Sequence, residues 1–424
     1  MIETRKRHIF YGWWIVLAST VICTFGFGIG LYSFGVFFKP MMGEFGWSRA
    51  LTAAAFSMRR IEGGIVSPIV GWATDKYGPR PVIFTGGVLL GLGFILMYTV
   101  NSLILFYLFY GVVISMGMST CLYLPNMAAI SNWFVRKNTR AISLLTVGAG
   151  IGGFVFPPLL TLLIDRVGWR WSFVLAGILL WLIIPPLSLV IRRRPEDMGL
   201  TADGDPPESD LSDRDLLRLN VSTSTHVLSR DYTLKEALGS RTFWILIVSF
   251  FLAGMNHPIM IVHAVAAITD LGISPGSAAY VFGFMVLISI VGRLSFGWLG
   301  DFVSKRYLII ITYVLQGAAI YVLMNSSSMS HVYLWAIIYG VGFGGGVPVR
   351  PALRAEYFGR SAFAKIGGIM SPIIMIGSFS GPIVAGYVFD QTGSYRIVFQ
   401  ALVVLQVLAT VVMYFARPAN PPEP

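Results

Sequence analysis

Twelve apolar stretches divide the chain from end to end, at approximately 11–38, 49–72, 81–100, 104–132, 141–164, 171–191, 242–268, 277–299, 307–325, 331–353, 363–388 and 395–416. Each has about the length, roughly 20 residues, that a helix needs to cross a hydrocarbon core of about 30 Å. A chain patterned in this way cannot close around a water-soluble core. Composition agrees, because only 12% of the 424 residues are charged, against about 25% in soluble proteins. The expected fold class is an all-α membrane protein with twelve transmembrane helices, and a soluble enzyme is excluded.

The net charge of +11 is a topology signal and not a nucleic-acid footprint. Lys and Arg gather at the N-terminus and in the loops near 76–80, 136–140, 192–241, 305–306, 350–365 and 417, whereas the alternate loops hold only Lys39, Arg49, Arg166, Arg170 and Arg396. Basic residues accumulate on the cytoplasmic side, so both termini are expected there. Arg5-Lys6-Arg7 resembles the start of a signal peptide, but the apolar run behind it is too long and lacks a convincing cleavage site. It reads as a retained first helix. Cys23 and Cys121 lie in apolar runs, which suits neither a disulfide framework nor a thiolate metal site. Gly148-x-Gly150-x-x-Gly153 and Gly340-x-Gly342-x-x-Gly345 fit a dinucleotide fingerprint in form only. Neither follows a soluble strand, and both read as small-residue faces for close helix packing. No cofactor and no metal is expected.

The polar segment 192–241 reads as a cytoplasmic linker between six-helix halves at 1–191 and 242–424. Three pairs support a duplication at offsets of 224 to 226: Gly71-Trp72-x-x-Asp75 with Gly297-Trp298-x-x-Asp301, Trp133-Phe134 with Tyr357-Phe358, and Asp165-x-x-Gly168 with Asp390-x-x-Gly393. Two such halves, together with Gly71-Trp72-Ala73-Thr74-Asp75-Lys76-Tyr77-Gly78-Pro79-Arg80, resemble the major facilitator superfamily. That resemblance implies a conformational latch on the cytoplasmic side made of Asp75, Arg80, Asp301 and Arg306.

Within the superfamily the chain is similar to the monocarboxylate transporter group, including bacterial members and oxalate/formate exchanger relatives. The stretches that carry this are Tyr32-Ser33-Phe34-Gly35-Val36-Phe37-Phe38-Lys39, Trp133-Phe134-Val135-Arg136-Lys137 and Val291-Gly292-Arg293-Leu294-Ser295-Phe296-Gly297. The last resembles the stretch that bears the group's substrate arginine, which implies that role for Arg293. There are departures. Tyr32 stands where mammalian proton-coupled members have a lysine, and Ser289 stands where they have an aspartate, so the resemblance leaves the coupling mechanism open.

The residues themselves point the same way. Arg293 lies eight residues before Asp301, about 12 Å inside the boundary. A guanidinium does not give up its proton, so it must face a partner or a wet pathway, and its planar fork suits a carboxylate. The bland alternative is a buried ion pair with Glu62. Tyr123, nine residues before Asn132, lies at nearly the same depth, about 14 Å, with Asn126 one turn on. These two are expected to orient the substrate, the alternative for Tyr123 being ordinary packing. Arg59, Arg60 and Glu62 are charges in mid-membrane; spacing puts Arg59 and Glu62 on one face, either as a self-neutralised cluster or with Glu62 as proton carrier. Asn256 and His263, seven apart on the seventh span, share a face, and His263 is a second proton-coupling candidate or else a neutral hydrogen-bonding residue.

The residues and the resemblance together predict a secondary transporter, not an enzyme, of small lactate- or pyruvate-like monocarboxylates; the resemblance implies proton symport as its coupling, with organic-anion exchange as the alternative. A receptor or membrane-embedded enzyme would need a domain that no segment outside the spans supplies. Its partners are a small organic carboxylate, a proton and the lipid bilayer, with no nucleic acid. Oligomeric state is open, a monomer being compatible with the mechanism. Compact loops suit a bacterial inner membrane.

Overall fold

The computed structural model describes residues 10–134, 137–204, 233–300, 302–358 and 363–417. Among the described residues there is no strand; ten helices are long and apolar enough to cross a membrane, and Arg49–Tyr77 together with the division of Asn138–Ser188 brings the membrane-length spans to twelve. In chain order they are Tyr11–Phe45, Arg49–Tyr77, Pro79–Thr99, Leu103–Trp133, the two parts of Asn138–Ser188, then Arg241–Asp270, Pro275–Leu299, Lys305–Met324, Met329–Phe358, Phe363–Thr392 and Arg396–Tyr414. The fifth and sixth spans part at Gly168, whose φ of 77° is open to glycine and strained for other residues. Ser48 and Ser274 cap the second and eighth spans by accepting from the amides of Leu51 and Ser277. The described part of the linker holds two short turns, Pro195–Met198 and Ala202–Gly204, and a capped helix, Leu234–Gly239. Arg350 and Arg354, read above as loop charge, instead lie inside the tenth span; the apolar run continues past them as helix.

Apolar side chains gain little by meeting each other in lipid, so close backbone approach becomes the adhesive. The glycine run of the fifth span shows how it is used. Gly148 and Gly152 face Thr20 and Thr24 of the first span, and a side chain at 152 would collide with the Thr24 carbonyl. Gly150 and Gly153 face the other way, toward Ile290 and Val286 of the eighth span. On the tenth span Gly340 and Gly344 likewise seat against Met285 and Ser289. These formal dinucleotide fingerprints are helix contacts.

The first six and last six spans meet along two antiparallel seams, the second span against the eleventh and the fifth against the eighth. On the first seam Gly386 packs on the backbone of Arg49 and Ala50, and farther along Gly64 reaches Met375. On the second, Gly283 packs on Phe154, Gly150 on Ile290, and Arg293 on Thr146. Beyond those points the seams part: Gly297 and Gly368 have nothing near the position of a side chain, and Gly71 meets only Leu124 of its own half. The bundle is thus closed at the side away from the chain termini and opens as a cleft toward the termini.

Replacing Gly152 by Val should prevent the first and fifth spans from closing, at a cost above about 3 kcal/mol. Gly43→Ala, at an open position, should leave stability unchanged. Thermal unfolding of the purified variants followed by tryptophan fluorescence checks both, and equal midpoints would show that the contact is dispensable.

Candidate substrate site

Arg293 lies where the fifth–eighth seam ends, at the apex of the cleft. Its Nη1 donates to the carbonyl of Thr146, across the seam, at 2.8 Å, while its Nε is buried with no hydrogen-bond partner. No acidic group pairs with it among the described residues. Its Cζ lies 5.9 Å from the ring centre of Phe343, and Phe343 stacks on His257 with ring centres 3.7 Å apart. His257 lies about 100° round the helix from Asn256, and that rotation brings it here. Tyr123, 46% exposed, is in electrostatic reach of Arg293 from the opposite half. The pairing of Arg293 with Glu62 is not formed. Glu62 instead accepts from the Ser119 hydroxyl at 2.9 Å, and its other oxygen is buried without a partner.

Asn126 does not share the exposure of Tyr123. The helix breaks at Leu122, with φ and ψ of −96° and −95°, and the Asn126 amide donates to the carbonyls of Cys121 and Leu122 that the break sets free. It is fully buried and spends its donor on the backbone. Asn256 is also fully buried, donating to Gln316 at 3.1 Å and accepting from Tyr339 at 3.1 Å, inside the last six spans. Tyr32 sits in a π-helical turn, Gly28–Tyr32, with its ring against Gly153, and it borders Arg59 together with Tyr110 and Glu62. Arg59 itself approaches the Met118 sulfur at 3.7 Å and the Phe56 ring at 5.5 Å. Ser289 turns its hydroxyl back to the carbonyl of Val286. The Arg60 side chain and Asp301 lie outside the described residues.

Closure at the far side rests on residues that loop reading had passed over. Arg49 donates from Nη1 to Asp270 at 2.9 Å and to the Tyr395 hydroxyl at 2.8 Å, and its Cζ lies 3.5 Å from the Phe389 ring centre. The Asp390 carboxylate accepts from the Arg49 and Ala50 amides, at 2.9 and 3.0 Å, at the start of the second span. It thereby caps an end that favours negative charge. Lys39 adds a second bond to Asp270, 2.7 Å. His263 belongs to this clamp and not to the apex. One ring nitrogen meets the Tyr395 hydroxyl and the other the Pro382 carbonyl, each at 2.8 Å. A carbonyl only accepts, so Nε2 carries the proton and Nδ1 accepts from Tyr395, whose oxygen in turn accepts from Arg49. The clue in the sequence was that basic residues are scarce in these loops: of the five, Lys39, Arg49 and Arg170 each have an acid, Asp270 or Glu44.

At the termini side, of the residues expected to form a latch, Asp75 and Arg306 bond within their own six spans. Arg306 donates to the Ala416 carbonyl at 3.1 Å and the Tyr307 hydroxyl at 3.0 Å, and the backbone carbonyl of Asp75 accepts from Arg193. Among the described residues none of Asp75, Arg80 and Arg306 bonds across the cleft. Asp270→Asn should loosen the far-side closure by about 1 kcal/mol, hence about fivefold in the open-to-closed ratio. The labelling rate of a cysteine placed at Ala267 by a membrane-impermeant maleimide reads this, and an unchanged rate would remove the clamp from the closure.

The sequence profile described as the Major Facilitator Superfamily matches residues 20–295 and 259–424. Monocarboxylate transporter 13 of Rattus norvegicus is 29% identical over 389 residues, covering 91% of this chain and 84% of that one. Monocarboxylate transporter 11 of Homo sapiens is 25% identical, covering 91% and 78%. The MFS-type transporter YhjX of Escherichia coli (strain K12) is 26% identical, covering 86% and 85%. Among solved structures, the D-xylose–proton symporter superposes with a TM-score of 0.75 at 14% identity, covering 96% of this chain and 98% of the other. A bacterial homologue of the human lysosomal transporter Spinster, inward-facing and unoccupied, gives 0.71 at 17%, covering 96% and 97%. With a family match over most of its length and relatives that are carriers and not enzymes, this chain belongs to the major facilitator superfamily of membrane transporters.

Proposed function

We propose that the protein is a secondary transporter of small monocarboxylates of the lactate and pyruvate type, with Arg293 as the group that binds the carboxylate. The observation that carries this reading is a guanidinium at the cleft apex that, among the described residues, has no acid beside it and one hydrogen bond, to a main-chain carbonyl. A carbonyl leaves the cation's charge uncompensated, whereas a carboxylate offers two charge-assisted bonds to the same fork. Tyr123 is placed to donate from the opposite half, and Phe343 and His257 wall the site on the near side. The names of the relatives supply the same substrate class.

The closed clamp and the undone latch correspond to one end state of a rocking cycle in which the halves expose a central site alternately. With both termini cytoplasmic in a bacterial inner membrane, this end state faces the cytoplasm. A bound carboxylate neutralises Arg293, so the loaded protein closes over its site at lower cost than the empty one. Glu62, with one oxygen unpartnered beside Arg59, is the proposed proton carrier. His263 is committed to the clamp. The second reading is organic-anion exchange, favoured by the neutral Ser289 and Tyr32 at the two positions where proton-coupled relatives carry charge.

Uptake of labelled lactate into proteoliposomes separates the two. Symport requires accumulation driven by an inwardly directed proton gradient; uptake that needs an internal anion and ignores the gradient establishes exchange. Arg293→Gln should weaken lactate binding by about 2–5 kcal/mol, seen by calorimetry as a loss of at least about 30-fold, and near wild-type affinity would refute the role. Glu62→Gln should keep lactate exchange while abolishing accumulation by the pH gradient; preserved accumulation would place the proton elsewhere.

A further inference from the structure

His263 stands where the far-side clamp crosses from one half to the other, and both of its ring nitrogens are in use. Nε2 donates to the Pro382 carbonyl of the eleventh span and Nδ1 accepts from the Tyr395 hydroxyl, each at 2.8 Å. The Tyr395 oxygen accepts in turn from Arg49 of the opposite half, at 2.8 Å. The imidazole is fully buried, and part of its cover comes from the first half. Phe38 of the first span lies edge-on against it with ring centres 5.2 Å apart, and Gly35, one turn earlier, packs on the nearby Ile261 carbonyl. The charges around the ring are already balanced. Arg49 and Asp390 are in electrostatic reach of it; Asp270 accepts from Arg49 and Lys39, and the Asp390 carboxylate accepts from the Arg49 and Ala50 amides. Two cations thus meet two anions, and an imidazolium would be a third cation with no acid of its own.

We propose that His263 is a proton site which the shut clamp excludes and the opened far side exposes, so that acid in the medium on that side opens the transporter. An imidazolium donates from both nitrogens. With a proton on Nδ1, Tyr395 must accept from His263, and it then lacks either an acceptor for its own hydroxyl proton or the bond from Arg49. Both losses fall on the link between the halves, and a buried cation two hydrogen bonds from a guanidinium is costly. When the far side opens, Phe38 and Arg49 withdraw with the first half and the ring meets water, where an imidazole titrates at about 6.5. The proton is therefore a ligand of the open state and shifts the equilibrium toward it. Closure returns it to the side it came from, so this site gates without carrying, and the role proposed for Glu62 is separate. The inference rests on the rocking cycle proposed above and not on the identity of the substrate.

The test is the distance between spin labels carried by Gly43→Cys and Gly276→Cys, open positions at the far-side ends of the first and eighth spans, in the purified full-length protein without substrate. Cys23 and Cys121 are buried and leave the labels to the introduced pair. From about pH 7.5 to about pH 5.5, a window above the ordinary carboxylate range, the open-to-closed ratio should rise about tenfold. His263→Gln, whose amide can donate to Pro382 and accept from Tyr395, should stay shut at both values, and His263→Asn, the shorter amide, should behave alike. Glu62→Gln should keep the rise. Absence of a rise in the wild type, or a rise that survives in either folded His263 variant, overturns the proposal. A rise lost in Glu62→Gln and kept in His263→Gln assigns the titration to the carrier and overturns it too. Because the labels are read without substrate, a failure of the monocarboxylate reading in the uptake assay leaves this result unaffected.

Discussion

Arginine inside a bilayer is the constraint around which this molecule is organised. It remains charged in any environment a protein offers, and the cost of keeping it there is met only by partners that are present in the right state. The chain handles its buried or half-buried arginines in distinct ways. Arg49 is surrounded by two carboxylates' worth of structure and two aromatic rings, and it ties the halves together. Arg59 sits beside an acid, Glu62. Among the described residues Arg293 receives only a main-chain oxygen. The first is a fastening, and the last is, on the function proposed above, open to a charged guest.

The same logic explains why so much of the fold was legible in the sequence. Span length, the alternation of basic loops and the spaced repeats around Asp75 and Asp165 each reflect a constraint that lipid imposes locally, residue by residue. Helix rise, which converts sequence separation into distance, put Arg293 and Tyr123 at one level, and they lie within electrostatic reach of each other. What could not be read was rotation. Asn126 and Tyr123 were placed on one side by spacing alone, but a break at Leu122 turned the asparagine into the bundle as its patch. His257 and Asn256, adjacent in sequence and so about 100° apart on the helix, meet the Phe343 ring and a buried amide network respectively.

The clamp was illegible for a different reason. Lys39, Arg49, Asp270, Asp390 and Tyr395 come from span ends far apart in sequence, and only the docking of the halves assembles them. Topology counting treated such residues as charge to be summed, whereas their meaning lies in pairing. His263, a proton-coupling candidate or a neutral hydrogen-bonding residue by spacing, is part of a hydrogen-bonded chain running from Arg49 through Tyr395 to the Pro382 carbonyl. Protonating Nδ1 would cost Tyr395 its acceptor, so this chain favours a neutral imidazole as long as the clamp is shut.

The fifth span carries a last consequence. Its glycines lock it to the first span by main-chain contact, but toward the eighth span it offers Ile290 and Val286 a smooth hydrocarbon track. Along that track the described residues form one polar link, Arg293 to Thr146. Sliding therefore demands no reshuffling of a hydrogen-bonded lattice. If Arg293 binds the substrate as proposed, turnover is, in the language of coordination chemistry, a ligand exchange at that cation, with an amide oxygen as the leaving group.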